Sequence, residues 1–464
     1  MRAAALALAL AAALTLVNGT SPAAQSTSTG FNVYEQDLDD LQSALKEGRV
    51  TSRQLVEQYF ARIVAYDPQG PAINAFITLN RKALDEADVL DAERRAGKLR
   101  GTLHGIPLAI TDNFITADLP TTAGTLALDG FMAGEDATQV RRLRQQGVIV
   151  LGKTNLHELA AGITSVSSAG GQTRNPYDLS RNPGGSSGGT AAAVTASMAP
   201  AGLGIDTCGS VRIPAAHNNL WGLRPTYGLS SRAGIVPLSH SQDVAGPIAR
   251  TSADLATLLD ATVGYDPADP VTEDARERVP RSYREFMGDS SLVDVRIGVL
   301  APLMGTDKAD AEVQTVVRKA LEDLEAMGAG VDDVTIPDFD GMLRDTSAIA
   351  HEFKFDLMDF LDKYKAPVHS LDEILRWGLY RTELDTTFRL RNATPARETA
   401  AYKTTRDRRE TATKTVLETM ESGGLMVLAY PAIRRKAAII GETQEGTNCQ
   451  LSATTGLPAL SMPA

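Results

Sequence analysis

Two serine loops hold the residues best suited to chemistry. Gly184-Gly185-Ser186-Ser187-Gly188-Gly189 is a Gly/Ser run, able to reach backbone shapes closed to other residues. Thr190 to Met198 follows as an Ala-rich helix, and its small residues Ala191 to Ala193 allow close packing on a sheet. A strand over Ala201 to Ile205 then delivers a second turn, Asp206-Thr207-Cys208-Gly209-Ser210. A serine hydroxyl becomes a nucleophile when a neighbouring group takes its proton. Backbone N–H groups across Thr207 to Ser210 can converge on one spot, as stabilisation of an oxyanion requires. A Gly/Ser loop alone is more often a linker. Its pairing with a second serine loop shifts the reading to nucleophilic catalysis.

Two other patterns lead elsewhere and fail on their surroundings. Gly147 to Thr154 fits G-x-x-x-x-G-K-[ST], but a phosphate cradle needs a flexible turn. The four middle residues are Val, Ile, Val and Leu, a buried strand. Gly184 to Gly188 fits G-x-S-x-G, whose serine sits between an apolar strand and a helix. Asn175 to Pro183 is polar and carries two prolines, so a loop precedes it. The six histidines, at 104, 157, 217, 240, 351 and 369, lack metal-ligand spacing such as H-E-x-x-H and read as structural or surface residues.

Alternating strands and helices must position these loops. Asp37 to Glu47, Thr51 to Tyr66 and Arg81 to Ala96 read as helices; Leu55, Tyr59 and Ile63 recur every four residues. Ile106 to Ile110 is a strand, Ala137 to Gln146 a helix and Val148 to Leu151 a strand. After a polar surface connection over 264–290, Val295 to Leu300 is a strand, Val313 to Met327 a helix and Val331 to Ile336 a strand. Residues 350–420 are mostly helical and Leu425 to Tyr430 is a strand. The alternation predicts one α/β domain with a central mixed, twisted sheet flanked on both faces by helices.

The totals narrow the function. The 464 residues suffice for a large core, and 43% hydrophobic with 22% charged residues is ordinary for a soluble globular protein. The net charge of −11 argues against nucleic acid, whose phosphates call for clustered Lys and Arg. Cys208 and Cys449 are too few for a disulfide framework and are expected as free, buried thiols, although one bridge is open to them. Met1-Arg2, the apolar run Ala3 to Val17 and the small residues that follow predict a secretory signal peptide over 1–24, with cleavage between about Gly19 and Gln25. The run is too short to span a membrane, and no cysteine follows it to carry a lipid. The mature domain is then 25–464, in the periplasm or outside the cell, with no membrane anchor.

The serine loops and several flanking motifs resemble the amidase-signature family. His104-Gly105-Ile106-Pro107-Leu108-Ala109-Ile110-Thr111-Asp112-Asn113 is similar to the family's lysine-bearing strand. Gly152 to Glu158, Gly222 to Thr226 and Asp243 to Arg250 resemble its other motifs. The likeness runs from about Asn74 to Pro463, with a signature core of about 100–260. It implies hydrolysis of amide C–N bonds through an acyl-enzyme, with small amides or peptide C-terminal amides as substrates and no metal or cofactor. Ser210 corresponds to the nucleophile. Ser186 corresponds to a bridging serine after a cis peptide at Gly185. Thr207, Cys208, Gly209 and Ser210 correspond to the oxyanion donors.

Three departures from the pattern stand out. The family's lysine falls on Thr111, whose hydroxyl passes a hydrogen bond but is no base near neutral pH. Lys153 belongs to a different motif and is no ready substitute. Cys208 stands where many relatives have glycine; it adds a side chain beside the oxyanion donors but keeps its N–H. The chain stops at Ala464, where the family usually continues, so a C-terminal truncation is expected. Two alternatives follow. One is a pocket that binds an amide or acyl ligand without turnover. The other, less favoured because of the charge and the signal peptide, is part of an amidotransferase that works on aminoacyl-tRNA. The geometry expected places Ser186 and Ser210 within hydrogen-bond reach, with Thr111 facing Ser186 across unfilled space where a lysine stem would run.

Expression in a bacterial host with the native N-terminus should give protein outside the cytoplasm, shortened by roughly 19–24 residues. Mass spectrometry of the mature protein checks this, and an intact Met1 would contradict it.

Overall fold

The computed structural model describes residues 30–288 and 291–464. The segment read as a signal peptide lies outside them. No described helix is long and apolar enough to cross a membrane.

The central sheet has seven strands: β1 (Phe76–Leu79), β2 (Pro107–Thr111), β3 (Ile149–Thr154), β6 (Ala201–Asp206), β7 (Trp221–Arg224), β8 (Val244–Ala249) and β12 (Ala459–Ser461). Their spatial order is β1-β3-β2-β6-β8-β7-β12. β3, β2 and β6 run parallel, and the other pairings are antiparallel. Helices cover both faces, giving the mixed α/β architecture expected. Every residue of β2, β3, β6 and β8 is buried, as strands flanked on both sides require. The G-x-x-x-x-G-K-T stretch lies largely within β3, where an extended backbone forms no phosphate cradle.

Two small sheets go beyond the sequence expectations. β4 (Val166–Ser167) pairs with β5 (Gly171–Gln172) as a short antiparallel ladder. β9 (Arg296–Leu300), β10 (Gly330–Val334) and β11 (Val427–Ala429) form a parallel three-stranded sheet, with β9 central. Apolar runs predict these three strands but not that they form a sheet of their own. Strand partnership depends on tertiary contacts that periodicity does not encode. The helical stretch of 350–420 is Ile349–Lys363, Leu371–Trp377, Asp385–Asn392 and Ala400–Gly423.

The N-terminal helix Ser52–Tyr66 illustrates the local logic. Thr51 accepts from the N–H of Gln54, and the Gln54 side chain accepts from the N–H of Thr51. This reciprocal box satisfies two orphan donors. Leu55, Tyr59 and Ile63 form the buried stripe expected.

β6 ends in a buried ionic cluster. Asp206 lies between Arg212, at 3.0 Å from Nε, and Arg224, at 3.4 Å from Nη1. All three are buried. Asp206 also accepts from the backbone N–H of Gly209 at 2.7 Å and of Val211 at 3.2 Å. Burial pushes this carboxyl up, but the Arg212 and Arg224 charges and these hydrogen bonds outweigh it and hold the pKa at about 2. The loop after β6 is therefore folded around one ionised carboxylate.

Asp206→Ala leaves two buried guanidiniums without that partner and should cost ~3–5 kcal/mol in urea unfolding. The folded pKa lies below the usual carboxylate value. The stabilisation is therefore present above about pH 4 and is lost as pH falls toward about 2. A loss below ~1 kcal/mol at pH 7, in the range of an exposed pair, would contradict the assigned role.

Candidate active site

The two serine loops pack against each other. The N–H of Ser187 donates to the carbonyl of Ser210 at 3.1 Å. Ser186 is fully buried and Ser210 is 3% exposed. The Gly185–Ser186 peptide is cis, as the family resemblance implied. A side chain at Gly185 would place a Cβ 2.7 Å from the backbone of Ile163, so only glycine fits that approach. Helix Gly188–Thr195 starts directly after the serines and contributes Ala191 to Ala193 to the buried interior.

The bridging loop is fixed by contacts from Ser165, His157 and Asn155. Ser165 Oγ lies at 2.7 Å from the carbonyl of Gly184 and 2.9 Å from that of Ser186, and accepts from the N–H of Gly188 at 2.9 Å. The backbone N–H of His157 donates to the carbonyl of Ser186 at 3.0 Å. The carbonyl of Asn155 accepts from the N–H of Gly189. His157 and Asn155 belong to the Gly152 to Glu158 motif. Ser165 comes from a separate segment with no pattern of its own. The His157 ring is buried, and burial, with the Arg381 and Arg391 charges, pushes its pKa down to about 4, so it is neutral near pH 7.

The nucleophile loop has a mixed set of donors. Among the described residues, no protein acceptor takes the backbone N–H of Thr207, Cys208 or Ser210. The N–H of Gly209 is already given to Asp206, which removes Gly209 from the set of four expected oxyanion donors. Its φ of +85° instead makes it the pivot of the turn. Thr207 Oγ1 donates to Asp243 Oδ1 at 2.6 Å. Burial raises the Asp243 pKa to about 6.

Thr111 closes β2 and is fully buried. Its Oγ1 donates to the carbonyl of Leu203 at 2.8 Å and lies 2.7 Å from Thr190 Oγ1, which is in turn 2.6 Å from Thr154 Oγ1. Thr190 stands in the first turn of the helix that follows Ser186. Thr111 thus bonds to that helix and to β6 but not to Ser186. Among the described residues, the Ser186 hydroxyl has no hydrogen-bond partner. The Ser186 hydroxyl therefore makes no hydrogen bond to Ser210 or to Thr111. The threonine side chain is short and its hydroxyl is satisfied locally, which leaves a buried hydroxyl unpaired at an ordinary cost of about 1–3 kcal/mol.

Lys153 supplies no replacement base to this hydroxyl. Its Nζ is 3.0 Å from Asp112 Oδ1 and donates to Thr121 Oγ1 at 2.8 Å. Burial pushes this ammonium below the ordinary lysine range, against the opposing Asp112 charge. The pair ties β3 to the end of β2 and does structural work.

Cys208 and Cys449 are joined in a disulfide, with Cα atoms 4.9 Å apart. This corrects the expectation of free thiols. The two lie 241 residues apart in sequence, and only the tertiary fold makes them neighbours.

One further cluster joins His240, Glu352 and Asp356, whose ligand atoms lie within 4.8 Å of one another. Its carboxylates are engaged by Ser239, Ser241, Tyr402 and Arg397, and His240 Nδ1 is 2.9 Å from Asp356. These bonds pin helix Ile349–Lys363 to the loop before β8.

The chain matches the Amidase family over residues 54–464. It is 38% identical to a native peptide amidase of Stenotrophomonas maltophilia, with a TM-score of 0.86 over 92% of this chain and 90% of that one. It is 38% identical over 389 residues to a probable amidase of Arabidopsis thaliana, covering 80% of this chain and 73% of that protein. A component of the glutamyl-tRNA(Gln) amidotransferase of Chromohalobacter salexigens is 42% identical over 306 residues, covering 66% of this chain but only 61% of that component. The serine loops, the cis peptide between Gly185 and Ser186 and the extent of these matches lead to one conclusion: the chain belongs to the amidase family, whose members hydrolyse amides.

Proposed function

We propose that this chain is an exported amidase in which Ser210 is the nucleophile and Ser186 its proton relay, and that Thr111 slows its turnover severely. The observation that carries this is the buried, unpartnered hydroxyl of Ser186 in a loop bonded to Ser210. In the reaction, Ser210 Oγ attacks the amide carbonyl carbon and passes its proton toward Ser186. The N–H groups of Thr207, Cys208 and Ser210 take up the charge on the carbonyl oxygen. The amine leaves with a proton, and water then releases the acid from the Ser210 ester. The step that lacks a group is removal of the Ser186 proton. A threonine hydroxyl does not accept it near neutral pH.

Small amides and peptide C-terminal amides are the substrates proposed. The likeness to a peptide amidase along nearly its whole length supports them. A role within an amidotransferase has less support, because the chain spans 61% of the matching component and carries a net charge of −11. A second reading is a pocket that binds amides without turnover. The closed hydroxyl set of Thr111, Thr190 and Thr154 favours it, since no base lies within it.

The unaltered protein should hydrolyse simple amides very slowly, and Thr111→Lys should raise kcat by at least ~10²-fold, within the roughly 10²–10⁴-fold that a positioned base contributes. Circular dichroism and thermal melting should show both proteins folded. Ordinary rates from the unaltered chain, abolished by Ser210→Ala, would reveal another base. A folded Thr111→Lys protein inactive across a broad amide panel would place the defect elsewhere.

A further inference from the structure

We propose that the Cys208–Cys449 disulfide holds the oxyanion loop in its working position, so that Cys449, acting through Cys208, is a positioning residue and turnover depends on the redox state of the pair. This rests on the reading of Ser210 as nucleophile. The loop is held firmly on either side of Cys208 and weakly at Cys208 itself. Thr207 is bonded to Asp243 through its side chain, and Gly209 to Asp206 through its N–H. Cys208 lies between them, half-buried, and its backbone N–H is one of three in this loop, with those of Thr207 and Ser210, that no protein acceptor takes among the described residues. Apart from the chain itself, its covalent hold is the bridge to Cys449.

The far end of the bridge is anchored. Cys449 immediately precedes helix Gln450–Thr455. The Asn448 side chain donates to the carbonyls of Leu303 and Pro431 at 2.8 Å each. Gln450 Nε2 donates to Thr346 at 3.1 Å and Thr454 at 2.9 Å. Arg409 donates to the carbonyl of Ala453 at 3.0 Å. The bridge therefore ties the loop beside the nucleophile to a fixed block from the far end of the chain. Gly209 belongs to the same arrangement: a Cβ there would meet Cys449 Cβ at 2.9 Å. Any cross-link that closes so long a loop stabilises the fold wherever it sits. Placement on a free N–H donor two residues from Ser210 adds a second consequence. Oxyanion stabilisation falls away when donors drift from their target, and misplacement by about 1 Å can cost 10²-fold in rate.

The chemistry is a two-electron exchange. A dithiol attacks one sulfur of the bridge, the S–S bond breaks, and two thiols form at Cys208 and Cys449. The dithiol gives up two electrons and two protons and becomes a disulfide. Exchange with another disulfide runs the reaction in reverse.

The test uses the full chain carrying Thr111→Lys, oxidised or treated with dithiothreitol, with free thiols counted by alkylation and mass. A Cys449→Ala version of the same protein serves as the permanently unbridged form. On reduction, kcat for a small amide should fall about 10-fold, a fraction of the roughly 10²–10³-fold that follows complete loss of a donor, with KM within about twofold. Hydrogen exchange in a peptide spanning 206–211 should speed up while exchange in β2 and β3 stays unchanged. Unchanged kcat and unchanged loop exchange, with both thiols counted as free, would overturn the proposal. A change in KM alone would also overturn it, because the bridge would then shape the substrate wall and not the donors. If the Thr111→Lys protein is inactive in both redox states, the reading of Thr111 as the missing base fails separately. Loop exchange on the folded protein then decides the tether, with faster exchange supporting it and unchanged exchange overturning it.

Discussion

The active region is organised around one buried carboxylate. Asp206 ends the central strand β6, takes the charges of Arg212 and Arg224 and accepts backbone donors from the loop that follows. A buried charge without partners is expensive, and removing one member of such a group is costlier than never having built it. The cluster thus fixes where the chain turns after β6, and so where Ser210 and the N–H groups of Cys208 and Ser210 point. The Ser186 loop is set against this turn by the Ser187–Ser210 backbone bond and held from its other side by Ser165. The cis peptide between Gly185 and Ser186 sits where these contacts meet.

The same framework explains the position of Thr111. It lies at the end of β2, next to β6 in the sheet, and its hydroxyl bonds to β6 and to the first turn of the helix that follows Ser186. The threonine hydroxyl is satisfied within this set. The chain keeps the architecture of an amidase, and on the proposed mechanism the proton-accepting step lacks its base.

Much of the site was legible in the sequence because small residues leave clear traces. The Gly/Ser loop, the Ala-rich helix and the turn after β6 needed particular residues at contiguous positions, and local order in the chain became local order in space. The strand over 201–206 and the buried Val-Ile-Val-Leu run of β3 were visible for the same reason. Long-range contacts were not. Ser165 is an ordinary serine until the fold brings it to the carbonyls of Gly184 and Ser186. Cys449 pairs with Cys208 across 241 residues of the chain, and a count of two cysteines does not reveal that. The commitment of the Gly209 N–H to Asp206, and hence its loss as an oxyanion donor, depends on a carboxylate buried by the tertiary structure. The separate sheet of β9, β10 and β11 follows from which strands meet, and hydrophobic periodicity is silent on that.

The central claim is that Ser210 is a nucleophile in a preformed oxyanion site despite the missing base. An activated ester tests it most directly, because its leaving group departs without help from a general acid and the acyl group stays on the enzyme when deacylation is slow. The unaltered protein would be incubated with p-nitrophenyl acetate, quenched, digested and read by peptide mass spectrometry. The account predicts an acetyl group on Ser210, absent in a folded Ser210→Ala protein. Acetylation that persists at another serine or threonine in that variant, with none on Ser210 in the unaltered chain, would contradict it.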